Sequence, residues 1–217
     1  MSKGFFIDTT RCIACKGCQT ACKQWNHLPA EKTKNQGNLQ NPPDFSFTTY
    51  KLVRMNEDIT DGKFNWLFFP DQCRHCLIPP CLLWAQATDA IYQDEGTGAV
   101  VYTSETKNLN AEYIIGVCPY DVPRRNEDGF LAKCTMCNDR VKKGMSPACV
   151  KTCPTGALNF GDLEAMQAMA SERLAAVKLT YPDARLLDSD DVRVIFLTAF
   201  APQKYHKYAA AFDAKRW

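Results

Sequence analysis

Apolar and polar positions early in the chain favour short strands and turns. Phe5-Phe6-Ile7 is an apolar run cut off at once by Asp8, which reads as one short strand. Residues 45–55 and 64–69 alternate in the period-two pattern of half-buried strands, and Asp61-Gly62 supplies the residues of a tight hairpin turn. Asn41-Pro42-Pro43 marks a loop ahead of them. Ile91-Tyr92 and residues 99–102 flank Gly96-Thr97-Gly98 and predict a second hairpin. Past the last cysteine the period changes. Asp162 suits an N-cap, and Leu163, Met166, Ala170, Leu174 and Val177 then recur at helical spacing. Tyr181-Pro182 closes that helix, and residues 192–200 predict a strand. The pattern describes an α+β chain, with a helix and strand appended to a region of short strands and turns.

Composition narrows the class. Of 217 residues, 46% are hydrophobic and 23% charged, enough to bury a core and too apolar for a disordered chain. The balance of 26 basic and 24 acidic side chains leaves +2, without the positive excess that marks nucleic-acid binding. No run reaches the roughly 18 to 20 apolar residues of a spanning helix. The longest late candidate, residues 194–201, is interrupted by Thr198 and closed by Pro202. The first residues hold no apolar stretch long enough for a secretory leader. A soluble chain without a membrane span or an export signal of its own is the expectation.

The outlier is cysteine, at 12 residues. A chain of this size needs no disulfide staples, so the cysteines are expected to carry chemistry. Cys12, Cys15, Cys18 and Cys22 follow the C-x2-C-x2-C-x3-C spacing of bacterial ferredoxins. Two-residue gaps let one tight loop place three thiolates around three corners of a 4Fe–4S cube. The x3 step, about one helical turn, carries the fourth thiolate to the neighbouring cluster. Cys134, Cys137, Cys149 and Cys153 fit the same scheme with a stretched middle gap, and Pro154 turns the chain out of the site. The first group has Lys23 where that proline would stand.

If these two groups exchange fourth ligands, one cluster takes Cys12, Cys15, Cys18 and Cys153, and another takes Cys134, Cys137, Cys149 and Cys22. Cys73, Cys76, Cys81 and Cys118 remain, and make a third cluster by the same rule. A weak repeat supports duplication, because residues 85–91 echo Cys153-Pro-Thr-Gly-Ala-Leu158. A fourth cluster would then use the positions of Ala85, Asn108, Ala111 and Ile114. None is cysteine, so all four ligands of one cluster are missing together and no other ligand is.

Other chemistries compete. Zinc also uses C-x2-C pairs, and twelve cysteines would hold three ions, as in a structural zinc protein. Zinc sites rarely pack four cysteines into eleven residues, however, and only His27, His75 and His206 are available. Disulfides suit the even count but not the repeated x2 spacing. The C-x3-C-x2-C of radical enzymes is absent, as are a P-loop and G-x-G-x-x-G. His75, between two cluster cysteines, reads as a supporting residue rather than an acid or base. Arg74, Arg124, Arg125, Lys133, Arg140, Lys142, Lys143 and Lys151 lie near ligands in sequence, either tuning the clusters or serving as ordinary surface cations. An oxidised cubane with four thiolates carries about −2, so three would take the chain from +2 to about −4. Asp162, Glu164, Glu172, Asp183, Asp188, Asp190 and Asp191 outnumber Arg173, Lys178 and Arg185 near the C-terminus. That stretch is either a solvated face or a dock for a basic redox partner. Met166 and Met169 read as helix packing.

Gln72-Cys-Arg-His-Cys76, Cys118-Pro-Tyr-Asp-Val-Pro-Arg124 and Cys149-Val-Lys-Thr-Cys-Pro-Thr-Gly-Ala157 resemble the iron–sulfur electron-transfer subunits of molybdopterin oxidoreductases. Most of these hold four clusters. The three-cluster count, Trp66-Leu-Phe-Phe-Pro-Asp-Gln-Cys73 and Cys22-Lys-Gln-Trp25 look like the small subunit of soluble tungsten- or molybdenum-dependent formate dehydrogenases of sulfate-reducing bacteria. The resemblance implies two pseudo-symmetric ferredoxin-like units. The first, 1–27 with 130–161, would hold two clusters, and the second, 70–129, one. Residues 28–69 would be a hairpin insertion and 162–217 a helix and strand extension. It implies no catalytic residue on this chain. The tungsten– or molybdenum–pterin centre would sit on a large partner subunit, which carries the formate chemistry. Electrons would leave through three 4Fe–4S clusters to a soluble acceptor such as a periplasmic multihaem cytochrome c. Export would follow a twin-arginine signal on the large subunit. The same wire serving a polysulfide, arsenate or thiosulfate reductase is the rival within this class.

Overall fold

The apolar run near the N-terminus forms the strand Lys3–Asp8, an inner strand of a four-stranded sheet. The computed structural model describes residues 2–87 and 89–211. Residues 1 and 88, and the last six of the expected C-terminal extension, lie outside the described residues. Sheet order is Leu158–Asp162, Lys3–Asp8, Val194–Thr198, Arg185–Leu187. The central pair is parallel, with Phe5 opposite Val194 and Ile7 opposite Phe196, and both flanking pairs are antiparallel.

Alternation along these strands sorts the core into two layers. Phe6, Ile195 and Leu197 face the helix Leu163–Lys178, which covers them with Met166, Ala170 and Val177. Phe5, Ile7, Val194 and Phe196 face the other way, onto Val53, Leu67 and Phe69 and onto the cysteine-bearing segments through Cys18 and Cys149. The Phe69 ring stacks on Phe196 with centroids 4.3 Å apart. Both faces of the central strands are covered, which is why they read as continuous apolar runs. A third, smaller core gathers Ala90, Ile91, Val100, Ala111, Ile114 and Leu131.

The first hairpin is Leu52–Thr60 paired with Lys63–Asp71. Asp61 and Gly62 have φ of 51° and 72°, the double left-handed geometry of a two-residue type I′ turn. Its first strand begins at residue 52, not 45. Residues 46–49 instead form a turn whose polar groups bond to Lys23 and Glu31. Ser46 and Thr48 hydroxyls donate to Glu31 at 2.7 and 3.0 Å, and Lys23 Nζ donates to the Thr48 carbonyl at 2.7 Å. Such side-chain bonds offer this segment an alternative to a ladder. The second hairpin pairs Ile91–Gln93 with Val100–Tyr102.

The C-terminal helix starts after Asp162, but that carboxylate makes no capping bond. It pairs with Lys3 Nζ at 2.7 Å, tying the helix start to the first strand. Met166 is buried, whereas Met169 is exposed, so the methionine pair packs only through its first member. The last strand is shorter than the 192–200 expected, because Val192 leaves the sheet to bridge Cys76.

Candidate metal centres

Each C-x2-C loop is built on the same backbone device. Ala14, His75 and Met136, each two residues after the first cysteine of its loop, adopt left-handed φ of 53°, 46° and 60°. None is glycine, and such strain in ordinary residues concentrates at functional sites. The turn aims the amide of that residue back at the cysteine. His75 N donates to Cys73 Sγ and Met136 N to Cys134 Sγ, both at 3.4 Å, and Ala14 N bonds Cys12 in the same way. Amide donors on sulfur are part of what a cluster-binding protein supplies.

The helix Gly17–Trp25 carries both Cys18 and Cys22. Four residues of helix separate them by about 6 Å along the axis, on the same side. They therefore reach two adjacent cavities. Cys12, Cys15, Cys18 and Cys153 line one small cavity. Cys22 lines a second with Cys134, Cys137 and Cys149. Cys73, Cys76, Cys81 and Cys118 form a third group, in which the Cys76 and Cys118 thiols both feel the charges of Cys73 and Cys81. The second set lies between the others, since Cys149 feels Cys18 of the first and Cys134 feels Cys73 of the third.

Burial dominates the electrostatics. It pushes the Cys12 thiol up to about 11 and Cys134 and Cys118 to about 12, and raises Cys22 well above its ordinary value; like-charged thiols add to each rise. Desolvated thiolates in groups of four need a cationic centre among them. Cys153 is the exception. Burial opposes its ionisation, but backbone amides of Leu158, Thr155 and Ala157 and the Thr155 hydroxyl outweigh that and hold it below its ordinary value. Among the described residues no three Cys, His, Asp or Glu side chains converge on one metal ion, the geometry that the zinc reading needs. Four thiols gathered without closing on a single ion fit a 4Fe–4S core. Each set would anchor its cluster through four iron–sulfur bonds, and the group would supply a one-electron redox couple.

Other site residues divide unevenly. His75 is fully buried, and Nδ1 accepts from Val100 N at 3.0 Å, so its proton sits on Nε2. Burial first, then Lys133 and Arg193, push it well below its ordinary value, which leaves a neutral supporting residue. Of the eight basic side chains near ligands in sequence, Lys133 turns a buried ammonium toward Cys134, and the buried Arg140 guanidinium acts on Cys137. Arg74 is buried but pairs with Asp71 at 2.7 Å, and Arg124 pairs with Asp44 and Asp121. Arg140 lies over the Trp25 ring and Lys142 pairs with Asp94. Arg125, Lys143 and Lys151 are exposed. Sequence reasoning missed Lys51, Gln72 as a wall residue and Tyr102. Lys51 and Gln72 line the second cavity, where Gln72 Nε2 is buried without a hydrogen-bond partner. Tyr102 turns its buried hydroxyl toward Cys81.

Residues 64–163 match the model of the 4Fe–4S dicluster domain family. With three sets of four thiols, this defines an iron–sulfur electron-transfer protein. The chain is 61% identical to formate dehydrogenase subunit beta of Megalodesulfovibrio gigas, over 97% of this chain and all of that one. It is 47% identical to formate dehydrogenase 2 subunit beta (cytochrome c-553) of Nitratidesulfovibrio vulgaris, covering 96% and 99%. Identity to the formate dehydrogenase-O iron-sulfur subunit of Escherichia coli is 42%, over 92% of this chain and 68% of the relative. The chain belongs to the family of iron–sulfur (beta) subunits of formate dehydrogenases.

Proposed function

We propose that this chain is a three-cluster wire that carries electrons, one at a time, from formate oxidation on a large metal–pterin subunit to a soluble c-type cytochrome. The observation behind it is the grouping of all twelve cysteines into three sets of four, the second between the other two. Cys12, Cys15, Cys18 and Cys153 hold the first cluster. Cys22, Cys134, Cys137 and Cys149 hold the second, and Cys73, Cys76, Cys81 and Cys118 the third. The chain's own residues position and insulate these centres and perform no bond chemistry on formate. Two ferredoxin-like units organise them, 1–27 with 130–161 and 70–129. In support, a short helix leads into a short strand through a buried Ala-aliphatic pair in both, Ala157-Leu158 and Ala90-Ile91. Residues 28–69 insert the hairpin, and the C-terminal segment from 162 covers the sheet.

The exit is at the third set. Exposed Ile78, Leu83 and Trp84 form an apolar patch that reaches Cys76, and Asp190 and Asp191 rim it. The Leu77 amide donates to the Asp191 carbonyl at 2.8 Å, which fixes the acidic turn beside the cluster loop. A haem protein with a basic ring around its exposed edge fits that surface. Asp188 does not belong to it, since its carboxylate accepts from Tyr120 Oη at 2.9 Å and from Ala211 N at 3.0 Å. Among the described residues no helix is long and apolar enough to cross a membrane. We place the complex in the periplasm, exported with its large subunit.

Anaerobic purification with the native partner tests the wire. This chain should contribute about twelve iron and twelve sulfide, and the chain alone should not oxidise formate. Stoichiometric zinc, or formate-dependent dye reduction by the isolated chain, would refute it. Reversing Asp190 and Asp191 to Lys should slow electron delivery to a basic cytochrome more at low salt than at high. Equal rates at low ionic strength would remove the patch from the exit.

A further inference from the structure

Two lysines are buried as deeply as the core, Lys51 at 2% exposure and Lys133 at 4%. Their hydrogen-bond partners are neutral. Lys51 Nζ donates to the Pro70 carbonyl and to Gln72 Oε1, both at 2.6 Å. Lys133 Nζ donates to the carbonyls of Val100 and Cys134 and lies 4.7 Å from the Tyr102 ring centre. A buried ammonium held only by neutral groups is costly unless negative charge lies nearby. The negative charge nearby is thiolate. Lys51 lines the second cavity, and its charge acts on Cys22 and Cys149 of that set and on Cys12 and Cys18 of the first. Lys133 acts on Cys134 of the second set and Cys81 of the third. Each lysine therefore stands at one of the two junctions between neighbouring sets. They come from unrelated parts of the chain, Lys51 from the hairpin insertion and Lys133 from just after the short strand Leu131–Ala132.

We propose that Lys51 and Lys133 are fixed junction charges that set the potentials of the clusters on either side, Lys51 for the first and second, Lys133 for the second and third. The inference rests on the three-cluster reading above. One electron takes a cubane with its four thiolates from about −2 to about −3. A neighbouring ammonium favours the more negative state, and more so in a dry interior than in water. At a junction it does so for donor and acceptor together, so both become easier to reduce while the step between them stays shallow. It also offsets the repulsion between two reduced neighbours. No proton moves and no bond changes; only the electron's resting place is biased.

The test is a redox titration of the intact two-subunit complex, followed by electron paramagnetic resonance of each reduced cluster. Lys51→Met should lower the midpoints of the first and second clusters and spare the third. Lys133→Met should lower the second and third and spare the first. The expected size is about tenfold in each flanking reduction equilibrium, or about 59 mV for a one-electron couple. Lys51→Arg and Lys133→Arg, which keep the charge, should restore the midpoints, a rescue that a purely packing role would not give. Unchanged midpoints in fully loaded variants, or an equal displacement of all three clusters, would overturn the proposal. Iron and sulfide content separates the two levels: fewer than three clusters in the unaltered chain defeats the wire, whereas three clusters with charge-independent potentials defeats the lysines alone. Should a Met variant load poorly, the Gln and Arg variants of the same residue are compared, and equal midpoints in that pair would count against it.

Discussion

Cys153 and Ala85 open two stretches of similar sequence with opposite outcomes. After Cys153 the chain turns through Thr155 and Gly156 into the buried pair Ala157-Leu158, and the thiol completes a cavity with three others. After Ala85 it turns into the buried pair Ala90-Ile91, and Ala85 packs with Ala111 and Ile114 into an apolar core with Val100 and Leu131. Three of the four positions where a further cluster would find ligands thus meet in one place and fill it with carbon. The fourth, Asn108, stays outside, with Nδ2 donating to Glu105 at 3.0 Å. A local backbone path can be kept while its chemistry is exchanged, provided the ligand positions change together. A single thiol left among those side chains would be a lone polar group, and a single alanine among four thiols would leave an iron open.

The largest test of that contrast is removal of one ligand. Cys118→Ser should eliminate the third cluster alone, lowering this chain's iron from about twelve to about eight, and reduce electron delivery to the cytochrome by orders of magnitude. Cys22→Ser should alter the second cluster, although Cys22 follows Cys18 on the same helix. If the first cluster changed instead, the exchange of fourth ligands would be wrong. On the filled side, Ile114→Asp should destabilise the fold by about 4 kcal/mol, because it leaves an unpaired charge in a closed apolar core. Denaturant unfolding measures it, and a loss below about 1 kcal/mol would mean the core opens easily to water.

A smaller effect separates how the two cysteine helices are held. Gly17–Trp25 is anchored through Lys23, which bonds Glu31 at 3.1 Å, whereas Pro80–Ala85 carries no charged residue. Burial works against ionisation of Glu31, but the hydroxyls of Thr49, Ser46 and Thr48 together with Lys23 hold it down to about 2. A depressed carboxyl contributes its stability above its unfolded pKa and loses it as pH falls through the folded one. Glu31→Gln should therefore cost on the order of 1 kcal/mol at neutral pH, and the difference should vanish as pH falls from about 4.5 towards about 2. A constant difference across that range would assign the effect to shape rather than charge. The smallest expected change is none: Ala85→Cys should add no iron, because Asn108, Ala111 and Ile114 still supply no thiolate.

Much of this was legible in the sequence. Spacing alone separates Cys22 from its helix neighbour Cys18, because the two-residue loops and the x3 step are local and their geometry is short-range. The Asp61-Gly62 turn was legible for the same reason. The start of the first hairpin was not, because residues 46–49 bond to Glu31 and Lys23, partners distant in sequence that no alternation pattern reveals. Lys51 escaped notice because a lysine just ahead of a strand ordinarily lies at the surface; its burial follows from where the thiols converge. The acidic segment was read as one unit, yet Asp188 turns inward to Tyr120 while Asp190 and Asp191 stay exposed.

Synthesis from residue 1 onward gives the three sets a schedule. On the proposed ligand scheme the third set is complete once residue 118 has emerged, the second at 149 and the first only at 153. On that scheme the segment that begins the chain would be the last to be sealed, and iron would stitch residues 12–18 to a cysteine more than a hundred positions away. Even then the N-terminal strand lacks its parallel neighbour, since its partner is Val194–Thr198. With the exit at the third set, biogenesis would run backwards along the wire, from the outlet towards the first set. A nascent chain halted near residue 140 could be loaded with a single cluster, at its exit end.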